Sequence, residues 1–376
     1  MSALGTAESA GLAHARELAL RGRGRVSPNP LVGAVILRDG RLIAEGWHDG
    51  PGTAHAEAMA LAIAGDAARG ATLICTLEPC SHFGRTSPCS DAVIAAGVAR
   101  VVIGCCDPLE RTRRQGLEKL RQAGIEVVVA SDEDEYLSRE LISAFVTHAV
   151  RGRPHVMLKL ATSLDGKVAT ATGESQWISG HESRAHVHRL RADHDAVIAG
   201  INTVLADDPQ LNARNVDGPV RQPTRVIFDA HARLPVTSQL ARSARETPVI
   251  VMAGSEASEA RCQALAECGV EVVRHDTPQP DIAHALTELG AREMQSVFIE
   301  GGAHLAGAFV RAKAVDVVQW FLAPILIGGD GAPGALGGDG VGALADAARL
   351  TRVVTTRRGD DIVCVGRLID LPETGV

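Results

Sequence analysis

His55-Ala56-Glu57, followed by Pro79-Cys80 and Pro88-Cys89, offers one imidazole, two thiols and one uncommitted carboxylate. A catalytic zinc takes three protein ligands and keeps a fourth position for water, whose pKa the metal lowers towards neutrality. His55, Cys80 and Cys89 fill those three places. Glu57 stands too close in sequence to His55 to share its ion comfortably. It is near enough to take a proton from the bound water and deliver it to a leaving amine, so it reads as the acid/base. A structural zinc would want a fourth ligand, for which His82 is the candidate, and would leave Glu57 without a task. Cys75, Cys105 and Cys106 sit in apolar, strand-like runs and read as buried, inert thiols.

The flanking sequence supplies elements that can position this set. Residues 71–77 form a short β-branched, apolar run that reads as a buried strand, ended by Glu78-Pro79 with Cys80 at its carboxyl end, where ligand sites collect in α/β sheets. Residues 54–68 are alanine-rich and read as a helix with Thr53 as N-cap and His55 and Glu57 in its first turn. Two residues on a helix lie about 200° apart around the axis. Only a helix end pointing into the site can therefore present both. A second helix over 90–97 leaves Cys89 at its start, where the positive dipole end favours the thiolate.

At 376 residues the chain suits two domains. A net charge of -7 gives no general basic field for nucleic acid, so a small-molecule substrate is expected, with neither nucleic acid nor membrane as partner. Eight cysteines at irregular spacing point to a reducing compartment, and the amino terminus shows no basic-then-apolar leader; a cytoplasmic protein is expected. The joint falls after a helix over 135–150, at Arg151-Gly152-Arg153-Pro154. The expected domains are 1–150 and 151–376. Candidate strands at 32–37, 71–77, 101–104 and 126–130 alternate with helices in the first half, and at 196–200, 224–228, 249–253, 270–273 and 296–300 in the second, the pattern of helix-covered α/β sheets.

The motifs carry a family resemblance. His-x-Glu followed by Pro-Cys and a second cysteine resembles the zinc deaminase signature, with eight residues between Cys80 and Cys89 where most such enzymes have two. Ser27-Pro-Asn-Pro-Leu-Val-Gly33, Gly46-Trp-His48, Thr76-Leu-Glu-Pro-Cys80 and Gly84-Arg-Thr86 in the first half resemble the bifunctional riboflavin-biosynthesis deaminase-reductase family. So do Leu158-Lys-Leu-Ala-Thr-Ser-Leu-Asp-Gly-Lys167, Gly173-Glu-Ser-Gln-Trp-Ile178, His188-Arg-Leu-Arg-Ala192, Thr203-Val-Leu-Ala-Asp-Asp-Pro209 and Glu300-Gly-Gly302 in the second. That resemblance implies a cytidine-deaminase-like three-layer α/β/α domain followed by a dihydrofolate-reductase-like α/β domain. The first would use Zn2+ to deaminate a diaminopyrimidinone carrying a ribosylamino phosphate. The second would use NADPH to reduce the ribosyl to a ribityl chain. A homo-oligomer is expected. Alternatives from other classes are a nucleoside or tRNA deaminase with an accessory domain, and a binding or regulatory homologue with impaired turnover.

The resemblance also implies residue roles. Asn29 and His48 would orient the pyrimidine, although Asn29, between two prolines, reads from sequence alone as a turn residue. Ala161, Trp177, Thr203, Asp207 and the segment Gly302-Ala303-His304-Leu305-Ala306-Gly307-Ala308 would meet NADPH. Ser175, Arg191, Leu211, Arg214 and Glu300 would face substrate, and Lys159 with Asp165 would polarise the sugar. The second half lacks G-x-G-x-x-G. The glycine pair before a helix suits an anion, or is an ordinary strand-to-helix turn. Arg191 and Arg214 suit a phosphate through paired hydrogen bonds, Arg191 reading otherwise as part of a solvated face with Arg184 and His188. Asp107-Pro-Leu-Glu-Arg-Thr-Arg-Arg-Gln-Gly116 departs from the family, as Leu109 replaces an asparagine and Arg113-Arg114 add bulk, which puts substrate fit in question. Ala230 stands where some relatives carry a serine that meets NADPH.

Overall fold

The computed structural model describes residues 4–81, 87–110, 112–218 and 220–373. His82, Gly84-Arg85-Thr86, Arg111 and the first three residues lie outside them. The chain divides into two compact units, one running to Gly152 and rejoined by the segment from Leu371, the other Arg153–Asp370.

In the first unit the chain runs α1 (Thr6–Ala19), β1 (Gly33–Arg38), β2 (Arg41–Trp47), α2 (Ala56–Ala64), β3 (Thr72–Leu77), α3 (Cys89–Ala96), β4 (Arg100–Cys105), α4 (Gln115–Gln122), β5 (Glu126–Val129), α5 (Asp132–Leu141) and α6 (Ser143–Arg151). The five strands order as β2-β1-β3-β4-β5, with β1 antiparallel to both neighbours and the rest parallel. Alternation in the strands feeds both faces. Ile36, Leu73, Cys75, Val101 and Ile103 pack with Ala60, Val93 and Leu117 on the α2/α3/α4 side. Val35, Ile74 and Val102 pack with Leu12, Ala15 and Leu18 of α1 on the other. This is the expected three-layer arrangement.

The second unit runs β6 (His155–Ser163), α7 (His181–Asp193), β7 (Ala196–Gly200), α8 (Ile201–Asp207), β8 (Thr224–Phe228), α9 (Gln239–Arg242), β9 (Val249–Ala253), α10 (Glu259–Glu267), β10 (Glu271–Arg274), α11 (Ile282–Ala291), β11 (Ser296–Glu300), α12 (Ala303–Arg311), β12 (Val317–Ala323), β13 (Thr351–Arg358) and β14 (Asp361–Arg367). Its nine strands order as β10-β9-β8-β7-β11-β6-β12-β14-β13. They are parallel from β10 to β12, with β14 and β13 added antiparallel. Helices cover both faces of the parallel part, Val187, Leu240 and Leu265 on one and Leu286, Leu289 and Phe309 on the other. The continuous apolar runs of strands buried on both faces follow from that cover.

Four local expectations change. His55, not Thr53, occupies the N-cap of α2, with extended backbone, while the Thr53 hydroxyl donates to the Gly50 carbonyl. The α-helix ends at Ala64, where Gly65 takes positive φ, and residues 65–68 form a 3-10 turn. The helix expected over 135–150 is two, α5 and α6, divided at Ile142, whose N–H bonds back to Arg139 as its side chain turns into the core. Strands β2, β6, β12, β13 and β14 were not among the candidate strands, β13 because its polar, largely exposed face lacks the alternation of a half-buried strand. Among the described residues no helix is long and apolar enough to cross a membrane.

Candidate active sites

Three elements converge on the first site. Cys80 follows the carboxyl end of β3, Cys89 is the first residue of α3 behind Pro88, and His55 caps α2 with Glu57 in its first turn. Gly46 of β2 allows α2 to lie this close: a Cβ there would stand 2.1 Å from the Ala56 carbonyl oxygen and 2.7 Å from the Ala60 nitrogen. The ligand atoms of His55, Cys80 and Cys89 all lie within 4.8 Å of one another. His55 Nδ1 is 3.2 Å from Cys89 Sγ and 3.6 Å from Cys80 Sγ, and the Cys89 N–H donates to Cys80 Sγ over 3.3 Å. One imidazole and two sulfurs at this spacing suit zinc, with a position to spare.

Charge in the cluster is uneven. Hydrogen bonds from Cys89 and His55 hold the Cys80 thiol far below its ordinary range, burial opposing them, while Cys89, sharing a proton with Cys80, is pushed up. Glu57 is 3% exposed and in hydrogen-bond contact with Cys89; burial raises its carboxyl to about 7. A buried carboxyl that titrates near neutrality, beside the sulfurs but not among the ligand atoms, can both accept and return a proton. Cys75, Cys105 and Cys106 are buried, and desolvation raises all three thiols, as expected of inert ones.

Asn29 and His48 come to the same place. Asn29 lies in a turn and also meets His48, Nδ2 to Nε2 3.0 Å, while His48 Nδ1 faces the Ala54 carbonyl at 3.2 Å. The His48 ring sits edge-on to His55 at 5.3 Å between centroids. Burial, with His55 as a neighbouring charge, lowers the His48 pKa and keeps its ring neutral.

Glu78 was read only as the end of a strand. Its buried carboxylate accepts the backbone N–H groups of Asp107 (3.1 Å), Arg114 (3.0 Å) and Gly116 (3.2 Å), and so fixes those three residues close to Pro79. Arg113 donates to the Asp107 and Pro108 carbonyls of the divergent 107–116 stretch. The signal lay in the sequence, a carboxylate adjoining Pro79-Cys80, but its partners lie about thirty residues on.

In the second unit, strand register puts Lys159 of β6 beside Glu300 of β11. Glu300 takes Arg191 in a fork, Nε to Oε1 2.5 Å and Nη2 to Oε2 2.9 Å, and Arg191 Nη1 donates to the Asn212 carbonyl over 3.0 Å. Burial pushes the Glu300 carboxyl up, but Arg191 and Lys159 together hold it below its ordinary value. Arg191 is therefore an ion-paired residue and not part of a solvated face. Leu211 is buried with positive φ next to Asn212, whose side chain accepts Arg214 at 2.9 Å. Arg225, fully buried and unanticipated, donates to the Gln210 carbonyl over 3.2 Å and to Ser243 Oγ over 3.1 Å, anchoring this segment.

The remaining residues form a second group. Gly301 and Gly302 both have φ near +78, and Cβ atoms there would meet Thr203 at 3.2 and 3.3 Å. Behind them, Ala306 and Gly307 are buried, whereas Gly302 and His304 are exposed. Trp177 is 67% exposed beneath the Arg184 guanidinium, and Gln176, preceding it, reaches Asp207 at 3.3 Å. Ser175 adjoins them in the same loop and Ala161 lies on β6, both half-buried. Asp165 does not join Lys159: Ser163 and the N–H groups of Ile327 (3.1 Å) and Gly328 (2.7 Å) hold its carboxylate at about 2, in a loop-anchoring role.

Residues 154–364 match the family model of the RibD C-terminal domain, and residues 6–105 that of the cytidine and deoxycytidylate deaminase zinc-binding region. The riboflavin biosynthesis protein RibD of Escherichia coli is 40% identical, covering 93% of this chain and 96% of the relative. That of Aquifex aeolicus is 39% identical over 93% of this chain and 95% of the relative. The solved structure of Acinetobacter baumannii RibD, form 1, superposes with a TM-score of 0.85 at 38% identity, covering 96% of this chain and 98% of the other. A diaminohydroxyphosphoribosylaminopyrimidine deaminase/5-amino-6-(5-phosphoribosylamino)uracil reductase from Thermotoga maritima gives 0.82 at 36% identity, with the same coverage.

Proposed function

The chain belongs to the RibD family of riboflavin-biosynthesis proteins, and from that premise we propose how its residues divide the work of a bifunctional deaminase and reductase. The observation that carries the reading is the convergence of His55, Cys80 and Cys89 within 4.8 Å beside a buried Glu57, in a chain that both family models cover in order. The substrate is the diaminopyrimidinone bearing a ribosylamino phosphate, and the deaminated product is the substrate of the reductase. The unit ending near Gly152 houses the deaminase and the unit from Arg153 the reductase.

His55, Cys80 and Cys89 hold the zinc, which when bound supplies a Lewis acid and lowers the pKa of water. Glu57 takes the proton of the attacking water and returns it to the departing amine, a role that its burial and near-neutral titration support. Asn29 and the neutral His48 present directed hydrogen-bonding groups to the ring, and Glu78 keeps the 107–116 wall beside them. NADPH supplies hydride to the second reaction. Ala161, Trp177, Thr203, Asp207 and the accessible part of Gly302 to Ala308 receive it, supported by the room that Gly301 and Gly302 leave against Thr203. Ser175, Arg191, Leu211, Arg214 and Glu300 face the substrate. Arg191 also sets the Glu300 carboxylate, and Arg214 stands close by on Asn212. Lys159, half-buried and the register partner of Glu300, presents its amine to the sugar oxygens.

Eight free cysteines support a reducing, cytoplasmic setting, and the net charge of -7 supports a small-molecule substrate over nucleic acid or membrane. Strand β13 ends the nine-stranded sheet with exposed Val353 and Val354, which supports a homo-oligomer built on that edge. The test of function is to supply the pyrimidine phosphate with and without NADPH and weigh the products. Loss of the amino group without NADPH, and a further gain of two hydrogens with it, is the expected result; no change of mass in either arm would reject the reading.

A further inference from the structure

The loop that carries Ser175 and Trp177 runs over residues 173–179 and is exposed or half-buried throughout. A segment that buries so little takes its place from its anchors. One anchor, Gln176 to Asp207, joins two exposed side chains. The others stand at the exit of the loop, where α7 begins. Gly180 is the N-cap of α7 and has no side chain to offer the first N–H groups of the helix. Ser183, at the third helical position, where the glutamate of a capping box would reach back to the cap, is buried with its hydroxyl unpartnered. Asp361, the first residue of β14, supplies the missing acceptor: its Oδ2 takes the Gly180 N–H at 2.8 Å.

Asp361 is 1% exposed, and among the described residues no lysine, arginine or histidine pairs with it. A buried carboxylate without a cation is costly unless hydrogen bonds and dipoles meet it. Here the positive end of α7 faces it. Gly359, in the turn between β13 and β14, also touches α7, since a Cβ there would stand 2.6 Å from a Glu182 carboxylate oxygen. From the first turn of the same helix Arg184 reaches back over the loop. Its Nη1 donates to the Ser179 carbonyl at 2.5 Å, and its guanidinium lies 4.7 Å from the centre of the Trp177 ring. On the order of 16 Å further along α7, Arg191 is fixed by Glu300. The helix is thus held at both ends, and Asp361 holds the end that delivers the loop.

We propose that Asp361 and Arg184 are positioning residues for the reduction: they keep the Ser175–Trp177 loop in the geometry that receives nucleotide and substrate, acting through Gly180, Ser179 and Trp177. This rests on the reductase reading above. Without these anchors the loop spreads over more conformations, of which a fraction is competent to bind. Apparent affinity falls by that fraction, while turnover of the filled site is unchanged.

Steady-state reduction of the deaminated pyrimidine by the full chain, with NADPH binding followed by calorimetry, tests the assignment. Asp361→Ala and Arg184→Ala should each raise KM and the NADPH Kd about tenfold with kcat within about twofold of wild type. Asp361→Asn, which keeps an acceptor for the Gly180 N–H, should recover part of the loss. Ammonia release by the first unit should be unchanged in all three. Arg184→Ala leaves the buried carboxylate in place, so it decides should Asp361→Ala not fold. A folded variant of either residue with wild-type KM, or with kcat reduced at an unchanged KM, overturns the positioning role of that residue. A wild type that binds NADPH but yields no reduced product overturns the reductase reading, and the positioning role with it.

Discussion

Replacing Gly46 with alanine should damage the first active site without touching any of its side chains. The added methyl would stand 2.1 Å from the Ala56 carbonyl oxygen and 2.7 Å from the Ala60 nitrogen, both backbone atoms of α2. To reach even 3.0 Å the helix must retreat by about 1 Å, carrying the cap residue His55 and Glu57 with it while Cys80 stays behind β3 and Cys89 on α3. Overpacking of this kind costs about 1–3 kcal/mol. For a unit of this size that lowers its melting temperature by roughly 3–10 °C. A misplacement of about 1 Å in a catalytic constellation costs on the order of a hundredfold in rate. The assay compares ammonia release, zinc content and NADPH-dependent reduction in Gly46→Ala with the same quantities in Gly50→Ala, whose added methyl would meet only the Arg25 carbonyl at an ordinary 3.7 Å. The expected result is a loss of about a hundredfold in ammonia release and weaker zinc retention in Gly46→Ala, with reduction of the deaminated pyrimidine unaltered and Gly50→Ala near wild type. A folded Gly46→Ala protein with full deamination and an unshifted melting curve would refute the argument that α2's contact with β2 sets the site.

Glu57→Gln keeps the size of the side chain and removes its proton exchange; zinc should remain at wild-type stoichiometry while deamination falls about 10²–10⁴-fold and reduction persists, and undiminished ammonia release would exclude Glu57 as the proton carrier. Asp316 is fully buried, bound by Arg153 at 2.7 and 3.0 Å and by the Val156 N–H at 2.8 Å; burial pushes its carboxyl up, but Arg153 holds it below the ordinary value. A depressed folded pKa contributes stability that is full above the unfolded value near about 3.9 and is lost as pH falls through the folded one. Asp316→Asn should therefore destabilise the second unit by about 3–5 kcal/mol at neutral pH and flatten its loss of stability in acid, read from denaturant titrations; a wild-type pH slope in the variant would count against the pair. Val353→Lys with Val354→Lys should shift the protein to a smaller species in sedimentation, leaving deamination intact, and an unchanged mass would move the interface elsewhere.

Sequence alone determined the chemistry of the first site and the order of the units, because His55, Glu57, Cys80 and Cys89 are read by type and spacing, and the parallel strands by apolar runs that any buried strand must have. Strands at 196–200, 224–228, 249–253 and 296–300 were legible to the residue. The antiparallel edge was not, since β13 buries too little to leave a pattern. Tertiary structure decided what depends on partners distant along the chain. It gave Glu78 three amide donors some thirty or more residues away, paired Arg191 with Glu300, and set the Asp165 carboxylate on the N–H groups of Ile327 and Gly328. A side chain's type states what it can do; which of its donors and acceptors remain for a ligand is settled only when the fold has satisfied the others.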